Sequence, residues 1–512
     1  MADILSMPEP SGSQDLDLPL LPRELFWMIL DSLAPRDVIC CRRVSRLWND
    51  AFRDPANLIP LLKKLFPHAS EVRELCASPA PQAVSSDTDC WRSLFDRVAL
   101  RYDCLSRGEH NSVQRHKLCE EFGISGEREW FQVQPWDNHA SHLLQRVDLP
   151  FSESFWTYED GLVVYPSADH TCLVLMDLES DQKFMVPFII TGKVIRRTRL
   201  QKRLLVVEWA EPKAFHWLND SDGVHRHFAS SFDISKTSSG WSVVFRNEWK
   251  IMFLGHPLSE RDRFYSAHNQ THYVIYVWQP NRSLYTADDD APIESLSVWD
   301  ISNPSSYRPS LDPTGRQREG ENGTGPFIVS RFGFRELGFY SVRQRGLPAI
   351  QSLKITDDSQ AIEIFENLCT GPRDRFVGPS EWTSQVQATS IPIIGHGPCW
   401  RRTLDLVLPP YRGSSGLQAS PLTLTVCDES WYTIISESVD EKAQVGFCLH
   451  LDQATWPFDL RASLSIRTPS SATTVKNTKI FERIGRGEIC ATERYLLAEN
   501  ANNELLIYRF DG

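Results

Sequence analysis

Two histidines one residue apart are a common start to a metal site, and His225-Arg226-His227 has that spacing. A lone H-x-H pair supplies too few donors for zinc, so a strand pair following the turn Ser221-Asp222-Gly223 is the better reading. IGRGEIC, Ile484 to Cys490, imitates part of a glycine-rich phosphate loop. Cys490 stands where the third glycine belongs and no helical pattern follows, which leaves a hairpin turn. ADDDAPIE, Ala287 to Glu294, gathers carboxylates without the alternating spacing and the glycine of a calcium loop, and reads as a solvated loop. No G-x-S-x-G, H-E-x-x-H or P-loop sequence occurs. The remaining candidate chemistry is arginine. IRRTRLQKR, Ile195 to Arg203, is basic enough for a nuclear-localisation signal or a phosphate site, with Arg196, Arg197 and Arg199 as candidates beside Arg343, Arg345, Arg401 and Arg402. The simpler reading is a basic hairpin turn between the strands VPFII and RLLVVEW.

The elements that must position these residues change character along the chain. After about Trp130, short runs rich in β-branched and aromatic residues alternate with turn formers: GLVVYP (161–166), TCLVLMDL (171–178), RLLVVEW (203–209), HYVIYVW (272–278), SLSVWDI (295–301), LTLTVCD (422–428), VGFCLHLD (445–452) and ELLIYRF (504–510). Residues 131–512 therefore read as all-β, and they are too many for one ordinary sandwich. Several strands end in apolar-apolar-Asp, at Asp177, Asp233, Asp300, Asp452 and Asp511, with SLKITDD (352–358) as a further candidate. The intervals, where consecutive, are about 56, 67 and 59 residues, a spacing that suits propeller blades. Stacked sandwiches are the rival, since a strand followed by an Asp-led turn is ordinary β grammar. Polar stretches at Asn303 to Pro326 and Pro409 to Pro421 read as long loops.

The bulk numbers agree with a globular chain: 512 residues, 41% hydrophobic, 23% charged and a net charge of −12. The acidic balance argues against a general nucleic-acid binder. The twelve cysteines form no C-x-x-C pair and read as buried reduced thiols, which places the protein in the cytoplasm or nucleus. No signal-peptide pattern and no membrane-spanning run is expected, so the sequons at Asn269, Asn281 and Asn322 read as silent.

Ahead of the β region lies a compact apolar block, Leu18 to Phe52, after a polar tail (1–17). Pro22 suits the first turn of a helix and Glu24 its dipole. Leu25, Phe26, Ile29, Leu30 and Leu33 follow at helical spacing, Ala34-Pro35 ends that run, and Asp37-Val38-Ile39 opens a second. Val44, Leu47, Trp48, Ala51 and Phe52 form a third stripe. Three short helices in about 40 residues make too small a core to stand alone, so part of this surface belongs to a partner or to the rest of the chain. A helical linker region, 63–130, follows, with a flexible break near 78–89 and helical spacing resuming at Trp91, Leu94, Phe95 and Val98.

Leu21-Pro22-x-Glu24-Leu25, then Ile29-Leu30, Leu33, Asp37-Val38 and Val44-Ser45-Arg46-Leu47-Trp48, resembles the F-box at nearly every signature position, in order and at the right spacing, over 18–62. Phe26-Trp27 is bulkier than usual for that motif, with Trp27 expected at the surface or facing a partner. The rest of the chain is loosely similar to fungal F-box proteins with an all-β C-terminal half. The resemblance implies a multidomain α plus all-β protein, a small three-helix F-box before a large propeller-like domain. It implies docking on the Skp adaptor of a cullin–RING ubiquitin ligase through Leu21, Pro22, Leu25, Ile29, Leu33, Val38, Val44 and Trp48, some of which also pack the motif itself. The β domain would then hold an unknown protein substrate for ubiquitination, with no cofactor, no metal and no catalytic residue. Two alternatives are an F-box protein acting outside the ligase as a structural or regulatory adaptor, and a propeller enzyme with an appended F-box.

Overall fold

The computed structural model describes residues 22–30, 32–77, 88–118, 154–169, 171–217, 223–251, 258–259, 262–279, 292–312, 325–344, 350–368, 385–394, 400–405, 431–454, 459–476, 489–500 and 502–511. The tail 1–17, Leu21, the break at 78–87, the strand LTLTVCD and most of IGRGEIC and ADDDAPIE lie outside them.

Six helices come first: α1 (Arg23–Leu30), α2 (Pro35–Cys41), α3 (Arg46–Ala51), α4 (Pro55–Leu65), α5 (Ser70–Ala77) and α6 (Thr88–Arg107). Their boundaries are chemical. Pro35 and Pro55 sit in the first turn of α2 and α4, where a missing N–H is harmless. Ser45 caps α3 by accepting from the Trp48 N–H at 3.2 Å, and Asp54 caps α4 by accepting from Ala56 at 2.9 Å. Gly108 ends α6 with φ +67°, while the Glu109 N–H returns to the Cys104 carbonyl at 2.9 Å.

Six four-stranded antiparallel sheets follow, arranged as a six-bladed β-propeller. Blade 1 is β2 (Thr157–Glu159), β3 (Leu162–Pro166), β4 (Cys172–Asp177) and β5 (Lys183–Ile189). Blade 2 is β6 (Val194–Gln201), β7 (Leu204–Ala210), β10 (His227–Thr237) and β11 (Gly240–Lys250), with a small inserted hairpin, β8 (His216–Trp217) and β9 (Gly223–Val224). Blade 3 is β12 (Arg263–His268), β13 (His272–Gln279), β14 (Ile293–Asp300) and β15 (Phe327–Phe332), and a short helix α7 (Phe334–Phe339) follows it. Blade 4 is β16 (Ile350–Ile355), β17 (Ala361–Leu368), β18 (Gln385–Pro392) and β19 (Trp400–Asp405). Blade 5 is β20 (Trp431–Asp440), β21 (Val445–Ala454), β22 (Asp459–Arg467) and β23 (Ala472–Lys476). Blade 6 takes β24 (Cys490–Ala491), β25 (Tyr495–Glu499) and β26 (Glu504–Arg509) from the end of the chain and its fourth strand, β1 (Ser112–Lys117), from the segment after α6. The stretch read from sequence as helical linker to residue 130 therefore already contains a propeller strand, whose polar sequence SVQRHK hides it because it is an outermost strand.

The propeller accounts for strands that are apolar on both faces. A blade packs against a neighbour on each side, so alternate residues serve alternate cores. In β7, Leu204 and Val206 pack towards blade 3, while Leu205, Val207 and Trp209 pack towards blade 1. In β13, Tyr273, Ile275 and Val277 face blade 2, while Val274 and Tyr276 face blade 4. In β25, Tyr495 and Leu497 face blade 1, and Leu496 and Ala498 face a core shared with the helices.

The Asp-ended pattern marks a real position in four cases. Asp177 and Asp300 end third strands, Asp233 lies within one, and Asp511 follows one. Asp452 lies on the second strand of its blade and Asp358 follows a first strand, so these two are ordinary strand-turn chemistry. Asp177 also bridges blades, accepting from the Trp241 indole N–H at 3.0 Å.

Candidate docking surface

The helical block buries Phe26, Leu30, Val38 and Phe52, and the rings of Phe26 and Phe52 meet edge-on at 5.4 Å. Its core is not its own. It continues through Leu58, Leu61 and Leu62 of α4 and Phe95 and Val98 of α6 into Phe447, Leu449, Leu506 and Phe510 of blades 5 and 6. Arg42, just after α2, ties the block to α6, its Nη1 2.5 Å from the Asp96 carboxylate and its guanidinium over the Phe95 ring. One of the two destinations for the surplus apolar surface is therefore the rest of this chain.

The other surplus is still exposed. Leu25 and Met28 on α1 are 47% and 66% exposed, and Val44 and Leu47, before and on α3, are 63% and 46% exposed. Ile29, Leu33 and Trp48 are half-buried, with Leu33 and Trp48 against the core. Pro22 is exposed. Val38 is fully buried, so it supports the surface from beneath rather than presenting a side chain to it. Trp27 also packs partly buried against the core rather than standing free at the surface. Met28 is not singled out in the sequence, although it lies three residues after Leu25 on α1, which is helical-neighbour spacing, and Leu47 reads there as part of the third stripe but not as a contact residue.

The arginine candidates Arg196, Arg197, Arg199, Arg343 and Arg401 are otherwise engaged, while Arg345 and the Arg402 side chain lie outside the described residues. Val194–Gln201 is the innermost strand of blade 2, and only Lys202 and Arg203, both with positive φ, make the hairpin turn. The basic stretch is thus mostly strand, a correction that follows from β6 being buried along most of its length. Arg196 donates to the Asp262 carbonyl at 2.6 Å and lies 2.9 Å from His227 Nε2. Arg197 donates to the Ser266 hydroxyl at 3.0 Å and Arg199 to the Ser266 carbonyl at 2.8 Å. Arg401 donates to the Tyr340 carbonyl at 2.5 Å, and Arg343 lies 3.7 Å from Glu294.

The H-x-H pair is structural. The His225 ring bonds the Glu211 carbonyl, and the His227 ring bonds the His225 carbonyl through Nδ1, leaving Nε2 to face Arg196. Burial first, and then the Arg196 charge, hold the His227 imidazole well below its usual pKa. Among the described residues, no group of three or more His, Cys, Asp or Glu is placed to hold a metal ion.

The thiols differ from expectation. Of the eight described cysteines, all free, Cys104 and Cys448 are buried, but Cys40, Cys76 and Cys90 are exposed, because they fall on the outward faces of amphipathic helices. The sequon residue Asn269 is buried, its amide donating to the Ser359 hydroxyl at 2.8 Å. No described helix is long and apolar enough to cross a membrane.

The two ends of the propeller differ in the chain they carry. The turns joining first to second and third to fourth strands leave one end, and most are tight, such as 160–161, 202–203 and 441–444. The helices sit at this end, on the turns of blades 5 and 6, where the Ser70 N–H donates to Glu493 at 2.8 Å. The other connections, 118–156, 333–349, 369–384 and 406–430 among them, join strand ends at the opposite end, and most of their residues lie outside the described ones. The long connection 301–326 is the exception, leaving the helix-bearing end in blade 3.

The F-box-like family model matches residues 18–58, so this chain carries an F-box-like domain ahead of a six-bladed propeller. No curated protein matches the chain. Solved structures similar to it include a chain of the Mitotic Checkpoint Complex, at 9% identity and a TM-score of 0.30, covering 70% of this chain and 91% of that one. A structural genomics protein of unknown function from Bacteroides thetaiotaomicron VPI-5482 is 11% identical, with a TM-score of 0.27 and coverage of 70% and 69%. An alpha-L-arabinofuranosidase from Lactobacillus brevis is 7% identical, with a TM-score of 0.24 and coverage of 63% and 90%. At these values none bears on what this chain does.

Proposed function

We propose that this chain is the substrate-recognition subunit of a Skp–cullin–F-box ubiquitin ligase, working in the cytosol or nucleus. The F-box-like domain docks the Skp adaptor, the adaptor brings cullin, and the propeller holds a target protein. The observation that carries the reading is the exposed apolar set Leu25, Met28, Val44 and Leu47, standing over a core that is already complete within the chain. Apolar side chains such as Phe339, Ile394 and Trp400 are exposed on the propeller as well, and what favours these four is that they fall within the F-box-like match at 18–58. The opposite end of the propeller, with most of its long connections, is the natural face for a target. Catalysis here is proximity: the chain raises the effective concentration of a target lysine near a charged thioester and supplies no reacting group.

The test uses the purified full chain and a Leu25→Asp/Val44→Asp/Leu47→Asp variant, each offered a purified Skp adaptor and then cullin. The parent is expected to retain both partners and the variant neither, with the variant's thermal transition preserved because the three sites are exposed. A parent that retains no adaptor overturns the reading.

A further inference from the structure

The twenty residues of α6 serve two bodies at once. As a continuous helix, α6 is about 30 Å long, and its two ends cannot turn independently. In its N-terminal half, Asp96 holds Arg42, the residue that caps the end of α2. Towards its C-terminal half, the helix seats on blades 5 and 6, where the Thr473 hydroxyl donates to the Ser106 carbonyl and Leu105 enters the shared core.

At the seat lies Arg101, fully buried and surrounded by three carboxylates from three separate segments. Its guanidinium forks onto Glu71 of α5 at 2.5 and 3.0 Å. It lies 3.2 Å from Glu493, in the β24–β25 turn, and donates through Nε to Asp511, just past β26. The carboxylates are fixed in turn: Glu493 accepts from the Tyr102 hydroxyl at 3.0 Å, and Asp511 accepts from Arg494 at 2.6 Å. Burial pushes the Glu71 carboxyl up, but the Arg101 guanidinium more than offsets that and holds it at about 2.

Apolar contact already glues the helices to the propeller, and apolar contact has no preferred direction. A planar fork aimed at three fixed carboxylates does have one. Buried ion pairs add little net stability over a well-packed apolar substitute, and their best-attested use is to specify one arrangement.

We propose that Arg101 is a positioning residue that locks the F-box-like domain at one angle to the propeller. The lock fixes the path from the docked adaptor to the propeller's far end, and with it the lysines that a tethered thioester reaches. The ubiquitin step rests on the ligase reading above, whereas the fixed angle does not.

The experiment uses the full chain with spin labels introduced as non-canonical residues at Arg46, on α3, and Lys213, beside the β8–β9 hairpin. Parent, Arg101→Lys and Arg101→Gln/Glu71→Gln are compared. Arg101→Lys keeps the charge without the fork, and the double variant removes one charge of each sign should the lysine variant fail to fold. The parent is expected to give one narrow distance distribution. The variants are expected to give a broad one, with adaptor affinity within about twofold of the parent's because the docking residues are untouched. An unchanged distribution in a folded variant overturns the lock. In a second arm, each chain is assembled with Skp adaptor, cullin and RING subunit, and self-ubiquitinated lysines are mapped by mass spectrometry. Modification at the parent's principal lysine is expected to fall at least about tenfold in the variants and to spread to others, as lost orientation implies. A broadened distance with an unchanged lysine pattern overturns the positioning role. No ubiquitin transfer in the parent refutes the ligase reading, and the distance arm still decides the angle.

Discussion

Ser112 sits directly opposite Arg509 in an antiparallel ladder that joins a strand from the first quarter of the chain to its last strand. The ring is closed by this pairing and by no covalent bond among the described residues, since all eight described cysteines are free. The same pairing anchors the helices, because β1 begins just after α6 ends.

Ring closure predicts a sensitive seam between blades 6 and 1. Ile507 of β26 is fully buried there with Leu505, Val163 and Tyr165. Ile507→Ala is expected to lower stability by about 2–5 kcal/mol, the range for large-to-small core changes. Chemical denaturation of parent and variant reads it directly. A change under about 0.5 kcal/mol, the level of surface substitutions, would show that the seam is loose.

The docking surface and its support separate by substitution. Leu30 is buried beneath the exposed set, and Leu30→Ala is expected to lower stability by about 2–5 kcal/mol while adaptor binding weakens with it. Met28→Asp, at an exposed site, is expected to weaken adaptor binding while the thermal transition stays in place. Equal loss of stability in both variants would place Met28 in the fold rather than at the interface.

Acid acts in two windows. Burial holds His268 neutral, with a pKa of about 3 against an ordinary 6.5, as the Arg199 and Arg197 charges also favour. The unfolded chain takes this proton first, so stability is full above about pH 6.5 and falls as pH drops towards 3, by up to about 1.4 kcal/mol per pH unit. His227 acts in the same direction. Glu71 titrates lower folded than unfolded, so its contribution is present above about pH 4.5 and is lost as pH falls towards 2. His268→Gln is expected to make the stability profile shallower from pH 6.5 down to about 3, with the His227 part of the slope remaining and the fall below about pH 3 unchanged. A profile that stays steep would assign it to other groups.

Gly108 tests how closely α6 seats on blade 5. Its φ of +67° is one that side chains rarely adopt, and a Cβ there would stand 2.3 Å from Val475 Cγ2. Gly108→Ala is expected to cost at least about 1 kcal/mol from the backbone alone, with the clash adding to it. Hydrogen exchange in the last turn of α6 and in β23 should rise together. Faster exchange in α6 alone would show that the helix end does not bear on the blade.

Most of the architecture was legible because it depends on local periodicity. The stripe Leu25, Phe26, Ile29, Leu30 gives a helix, Pro22 and Glu24 mark its start, and RLLVVEW gives a strand. Four of the Asp residues fall on or just after third strands, but only Asp177 and Asp300 cap the turn that follows, accepting from the Glu179 and Ser302 N–H, while Asp233 and Asp511 pair with Arg246 and Arg494. What escaped notice was polar or solitary in sequence. β1 reads as SVQRHK because an outermost strand buries little, and Arg101 looks like any surface arginine on an amphipathic helix.

The sequence by itself determined which residues form an F-box-like domain and that a large β body follows it, since spacing and side-chain type decide both. Only the tertiary structure decided which apolar residues are left over. Val38 and Leu25 are equal in the motif, but one is consumed by α6 and blades 5 and 6 and the other is not. It also decided what the arginines do. Arg196 lies among backbone carbonyls that meet it where blade 2 leads into blade 3, and Arg101 lies among three carboxylates, two of which come from the last blade, about 400 residues away in sequence.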